Sequence, residues 1–248
     1  MSHLHLIDGV LSPLWWISGY ILTLGIIMLA ASKIKKEELP KRVPFVGVIS
    51  SLMLITMSVP LGFLPFHLNL TVLAGILAGP WLGFIAVFIV NFILALIGHG
   101  GITMVGLNTL IIGVEVLIGY FIFRYASKYI KPVTAATIAV IIALIISTTL
   151  MTGVIFAANI GLENALPHND LEHSEEKQIE DNHEYENEGL EEHLSEIRLF
   201  TLSGWGAVAL ILLLGIGIEA LVTSLIIAFF IKVRPEMIVR SEQGTVES

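Results

Sequence analysis

The residues best suited to chemistry in this chain are its eight histidines, at positions 3, 5, 67, 99, 168, 173, 183 and 193. Neutral imidazole is a good ligand for divalent transition metals. His3, His5 and His67 stand beside apolar helix ends. His5 precedes Asp8–Gly9, a turn signal, and Pro13, which can open a helix. A free N-terminal amine close to a histidine is a nitrogen chelate. Amine, deprotonated backbone amide and imidazole together form a planar set that suits Ni(II) or Cu(II), and one further imidazole would complete four ligands. His168, His173, His183 and His193 lie instead among carboxylates, in LPHNDLEHSEEKQIEDNHEYENEGLEEH. That stretch reads equally as solvated filling or as a loose collector of cations.

Other chemistries are excluded or weakly signalled. The chain has no cysteine, which removes disulfides, iron–sulfur clusters, thiolate zinc sites and cysteine nucleophiles. It carries no phosphate-binding G-x-x-x-x-G-K-[ST] loop, no nucleophile elbow and no H-E-x-x-H helix. An enzyme is therefore not expected, nor a nucleic-acid partner, and the chain alone cannot hydrolyse ATP. Glu115 and Glu219 fall inside apolar spans, where a carboxylate is a functional candidate by default. A packing or partner-helix role, with a hydrogen-bonded or protonated side chain, is the favoured reading, and an ion relay the alternative. Met53, Met57 and Met104 are read as core fillers rather than soft ligands. Trp15, Trp16 and Trp81 suit interfacial belts.

The elements that must position these groups are membrane helices. Of the 248 residues, 55% are hydrophobic and only 14% charged, against about 25% charged in soluble domains, and the mean hydropathy is +0.87. Apolar runs cover Leu14–Ala31, Val43–Val59, Leu68–Ile97, Thr103–Phe123, Val133–Ile160 and Leu199–Ile231. Runs near twenty residues are long enough to cross a hydrocarbon core ~30 Å thick. The expected class is an all-α polytopic membrane protein, a single membrane domain over 1–248, in contact with membrane lipid. Met1 to Pro13 contain no Lys or Arg, so no cleavable signal peptide is expected. The net charge of −8 belongs to one segment: residues 159–198 hold 13 acidic and 2 basic residues. They are expected to form an acidic, His-containing extracellular loop between the last two helices.

Charge also orients the chain. Residues 33–42 (KIKKEELPKR), 124–131 (RYASKYIK) and the tail with Lys232, Arg234 and Arg240 are basic, and the positive-inside rule puts all three in the cytoplasm. An odd number of crossings is then needed between His67 and Arg124. Breaking Leu68–Ile97 at Gly79–Pro80 supplies it, since proline lacks an N–H and ends or kinks a helix. The short piece Leu68–Ala78 rises only ~17 Å at ~1.5 Å per residue, so it should sink partly into the bundle, where protein covers it. About seven helices result, with the N-terminus outside and the C-terminus cytoplasmic. On this topology every histidine lies at or beyond the outer boundary.

Four blocks of the chain resemble a known family. HLIDGVLSPLWW (His5 to Trp16), FHLNLTVLAGILAGPWLGF (Phe66 to Phe84), GHGGITMVGLNTLIIGV (Gly98 to Val114) and GIEALVTSLIIAFFIKVRPEMI (Gly217 to Ile238) are similar, in order, to blocks of the CbiM/NikM family. That family comprises the cobalt/nickel substrate-binding membrane components of energy-coupling-factor ABC transporters. The resemblance implies a seven-helix component of the plasma membrane that captures Ni2+ or Co2+ outside the cell as transported ligand. It implies partners too: a transmembrane coupling protein, ATP-binding subunits and a small accessory membrane protein. In NikM-type members the metal is held by the N-terminal amine, the amide and imidazole of a second-position histidine, and a histidine before the third helix. The corresponding imidazoles here are His5 and His67. Asn108 matches the family's asparagine, a supporting or packing residue, and His99 stands where the family has aspartate.

The start departs from the family, because His5 is fifth rather than second. Three readings stay open. Translation begins at Leu4, read as Met, which would make Leu4 the source of the main-chain amine and fits the spacing to Asp8–Gly9. Alternatively Met1 is removed and Ser2–His3 form the chelate, or intact Met1-Ser2-His3 binds. The function expected is substrate capture for an ATP-driven Ni2+/Co2+ importer. The alternatives are a stand-alone secondary transporter with Glu115 and Glu219 as relays, and a membrane metal sensor or scaffold.

Overall fold

A computed structural model describes residues 6, 8–9, 11–34, 39–58, 67–165, 187–235 and 238, with side chains described except at 41, 159–165 and 187–208. The described residues form seven helices: α1 (Pro13–Lys33), α2 (Leu39–Ser58), α3 (Thr71–Ala78), α4 (Pro80–Leu96), α5 (Val105–Ala126), α6 (Pro132–Ala165) and α7 (Asn187–Val233). The helices within α1, α5, α6 and α7 are long and apolar enough to cross a membrane, so the chain is a multi-pass membrane protein. The outward faces fit that reading: Leu14, Ile21 and Met28 on α1 and Leu214, Leu221 and Phe229 on α7 are exposed and apolar. Lipid tails are as apolar as these side chains and cover them at no cost in solvation.

The break expected at Gly79–Pro80 is present. Gly79 has φ +88° and ψ 167°, a region open in practice only to glycine, and separates α3 from α4. Pro80 occupies the first turn of α4, where its missing N–H is no loss. The eight-residue α3 is sunk in the bundle as expected, with Thr71 to Ile76 and Ala78 buried against α4, α5 and α2. It starts three residues later than the apolar run, because residues 68–70 are not helical. α6 runs on to Ala165 and α7 begins at Asn187, so helix covers both ends of the stretch 159–198 read from sequence as loop.

Small residues set the helix spacing. A Cβ on Gly106 of α5 would lie 2.6 Å from the backbone nitrogen of Tyr20 in α1, and one on Gly75 of α3 would lie 2.7 Å from the carbonyl oxygen of Val116 in α5. Such close backbone approach is how membrane helices gain van der Waals contact without a hydrophobic drive between them. α1 is further tied to α5 by Thr23, whose hydroxyl donates to the carbonyl of Gly106 at 2.6 Å. α5 is therefore the central post, packed against α1, α3, α4 and α6. Two apolar clusters result. The larger joins α2 through α7. The smaller gathers Leu6, Leu11, Met104, Leu107, Ile111, Met151 and Ala158, with Trp15 and Trp16 against it, and seats the N-terminal segment on the start of α5. Met53, Met57 and Met104 are buried in these clusters, in keeping with a filling role.

Candidate metal centre

Two of the histidines singled out from sequence meet. The rings of His67 and His99 stand edge to face, with centroids 5.3 Å apart. His99 lies in the turn after α4, where Gly98 and Gly100 both have positive φ, and His67 lies in the non-helical segment before α3. Both rings are partly exposed, and the Nδ1 atom of His67 is shielded from solvent. His3, Leu4 and His5 lie outside the described residues, as do His168, His173 and His183, and the side chain of His193 is not described. Among the described residues no three His, Asp or Glu side chains converge to hold a metal ion. A site made from them needs a further ligand.

The N-terminal segment is fixed beside the same turn. The side chain of Asn108, buried in the first turns of α5, accepts a hydrogen bond from the backbone N–H of Leu6 at 3.0 Å and donates to the Leu6 carbonyl at 3.1 Å. The Gly101 N–H donates to that same carbonyl at 3.3 Å. An asparagine side chain presents one acceptor and two donors in a plane, so it can pair with both the N–H and the C=O of one residue. Buried backbone groups must find such partners.

Asp8 makes a second latch. Its carboxylate accepts from the backbone N–H groups of Ile102 (3.2 Å) and Thr103 (2.9 Å) and from the Thr103 hydroxyl (2.5 Å). The Thr103 hydroxyl above all, with the backbone N–H groups of Thr103, Ile102 and Met104, holds the Asp8 carboxyl below its ordinary 3.8 against an opposing desolvation effect. Gly101 is required under this latch, since a Cβ there would lie 2.1 Å from an Asp8 oxygen. Leu6 and Asp8 thus hang on residues 101–108, and His99 stands two positions before Gly101.

The segment that carries His67 is held by two glutamates. Glu219 of α7 accepts from the backbone N–H of Leu70 at 3.1 Å and of Asn69 at 3.5 Å. Glu115 of α5 accepts, on one oxygen, from the Asn69 side-chain amide at 2.8 Å and the Thr71 hydroxyl at 2.5 Å. Both glutamates are fully buried. Leu70 has φ +56°, the left-handed region, which costs a leucine ~1–2 kcal/mol. Four hydrogen bonds of about 1 kcal/mol each are enough to hold it there. The sequence marked these glutamates as intramembrane and assigned them to packing or relay. It gave no sign that they serve the His67 segment, because that contact joins residues 150 positions apart.

Comparison with known proteins agrees with this architecture. Residues 5–237 match the family described as the cobalt uptake substrate-specific transmembrane region, CbiM. A protein of Methanocaldococcus jannaschii described as a candidate metal transport protein is 28% identical over 148 residues, covering 57% of this chain and 66% of the relative. The cobalt transport protein CbiM of Acetoanaerobium sticklandii is 30% identical over 130 residues, covering 50% of this chain and 54% of the relative. The chain thus spans between about half and two thirds of the length of these curated relatives. Two crystal structures share the fold: a transition metal transporter (TM-score 0.63, 19% identity, 99% of this chain and 100% of the other) and a truncated transition metal transporter (0.62, 18%, 93% and 99%). The resemblance carried by the four sequence blocks is borne out, and a match running over residues 5–237 makes the chain a member of the CbiM family.

Proposed function

We propose that this chain is the metal-capturing membrane component of an importer for Ni2+ or Co2+. The observation that supports it most is the docking of the N-terminal segment, through Leu6, onto Asn108 and Gly101 in the same region that holds the His67–His99 ring pair. His5 is covalently next to Leu6. In this reading the N-terminal amine and the imidazoles of His5 and His67 hold the ion, with Leu4 providing the amine if the chain starts there, and His3 the alternative imidazole. Asn108 orients the N-terminal ligands by fixing Leu6, and His99 supports the His67 ring. The ion is cargo at the outer face of the membrane, with the N-terminus outside and the basic connections in the cytoplasm.

Energy comes from partners in this reading: ATP-binding subunits in the cytoplasm, a transmembrane coupling protein and a small accessory membrane protein. The chain performs no catalysis of its own. The 1–248 unit acts as one membrane domain, and the acidic stretch 159–198 lies outside the cell. Nickel fits a planar nitrogen set, and cobalt is what the family description names.

Uptake of Ni(II) and Co(II) by cells expressing the wild type or His67→Ala, with and without the ATPase partners, tests this. Uptake that requires both His67 and the partners is expected. Full uptake without partners would favour a secondary transporter, and tight binding with no uptake a sensor or scaffold.

A further inference from the structure

Among the described residues, Glu115 and Glu219 are the buried carboxyl groups that the capture reading leaves without a task. They come from different helices, α5 and α7, yet both reach the same three consecutive residues, Asn69, Leu70 and Thr71, through four hydrogen bonds. Those residues directly follow His67 and Leu68. The contacts are of a kind that fixes position rather than fills space. Glu219 takes two successive backbone N–H groups, and Glu115 takes a side-chain amide and a hydroxyl on a single oxygen. Leu70 between them is left-handed, a conformation that a leucine keeps only where its surroundings over-determine it. Thr71 opens α3, whose other residues are buried except Leu77. The chain from Asn69 to Thr71 is therefore held at several points, and His67 stands two residues before it.

We infer that Glu115 and Glu219 are positioning residues for the metal site: two carboxyl groups inside the membrane clamp residues 69–71 and thereby set where the His67 imidazole stands against His99. The inference rests on the metal-capture reading of His67. It assigns the two glutamates a role in ligand geometry at the outer surface, with no ion passing over them. Partners that orient a ligand from outside the coordination sphere affect metal affinity by about ten- to a hundredfold. An effect in that range is expected here.

Glu219→Gln tests it. The amide keeps the volume and one accepting oxygen, but turns a donor toward one of the two backbone N–H groups. Thr71→Val, nearly isosteric, removes the hydroxyl bond to Glu115 and gives a second variant if Glu219→Gln is not recovered folded. Purified full-length protein in lipid nanodiscs is titrated with Co(II), with circular dichroism to check folding. Glu219→Gln is expected to bind Co(II) at least tenfold more weakly than the parent, with a changed Co(II) absorption spectrum. In a His67→Ala background the same substitution is expected to change nothing further. A purely structural loss would add to the His67→Ala effect, and that additivity would overturn the inference. The imidazole NMR signals of His67 and His99 in metal-free protein give an independent reading. Signals unmoved in both variants overturn the positioning role whether or not the parent binds metal. Signals that move, in a parent that binds no Co(II) or Ni(II), overturn the capture reading instead.

Discussion

Asn108 holds both backbone groups of Leu6 through the two ends of one side-chain amide, across 102 residues of sequence. The N-terminal segment is thereby part of the helix bundle's packing rather than an appendage. Asn108→Ala leaves the Leu6 N–H without its partner at a cost of ~1–3 kcal/mol. Metal affinity is expected to fall about ten- to a hundredfold, as for other groups that orient ligands. Asn108→Asp retains an acceptor for the Leu6 N–H but loses the donor to its carbonyl, so its affinity should fall between the two. Calorimetric titration with Ni(II) checks the order.

The Asp8 latch has a definite pH dependence. Its carboxyl is held below 3.8 when docked, so the stabilisation is fully present above that ordinary value and is lost as pH falls through the lower, docked one. Hydrogen-exchange protection of the Ile102 and Thr103 amides should stay constant from neutral pH down to about pH 5. Asp8→Asn should remove much of that protection at every pH. Protection that fades near neutrality in the wild type would show that another group controls the latch.

Close packing predicts where substitutions hurt. Gly106→Ala drives a methyl group into the Tyr20 backbone, and overpacking of this kind typically costs ~1–3 kcal/mol. Gly79→Ala meets open space but forces an alanine to φ +88°, a strain of ~1–3 kcal/mol. Both variants should unfold at lower temperature than the parent. Gly25→Ala, at a helical position where a Cβ touches nothing, should not lose stability, since alanine favours helix by ~1 kcal/mol.

The sequence made the helices legible because lipid imposes a simple rule: long apolar runs, punctuated where the backbone cannot continue. Gly79–Pro80 was readable from residue chemistry, and charge parity then required the buried half-helix that α3 turns out to be. The shared location of His67 and His99 also followed from counting crossings, and their rings do meet. What could not be read was register between distant segments. Nothing local to Glu219 points to the N–H groups of Asn69 and Leu70, and nothing local to Asn108 points to Leu6. Such bonds depend on how helices stack. A left-handed leucine has no sequence signature either, since Leu70 is held there by tertiary contacts rather than by propensity.

We propose that His67 ligates the ion together with nitrogen donors of the N-terminal segment. The most direct measurement is X-ray absorption of Ni(II) bound to the purified full-length wild type and His67→Ala, alongside calorimetric affinity. A shell of nitrogen ligands that loses one imidazole in His67→Ala is expected, with affinity falling by a hundredfold or more. An unchanged imidazole count and unchanged affinity in a folded His67→Ala protein would contradict it.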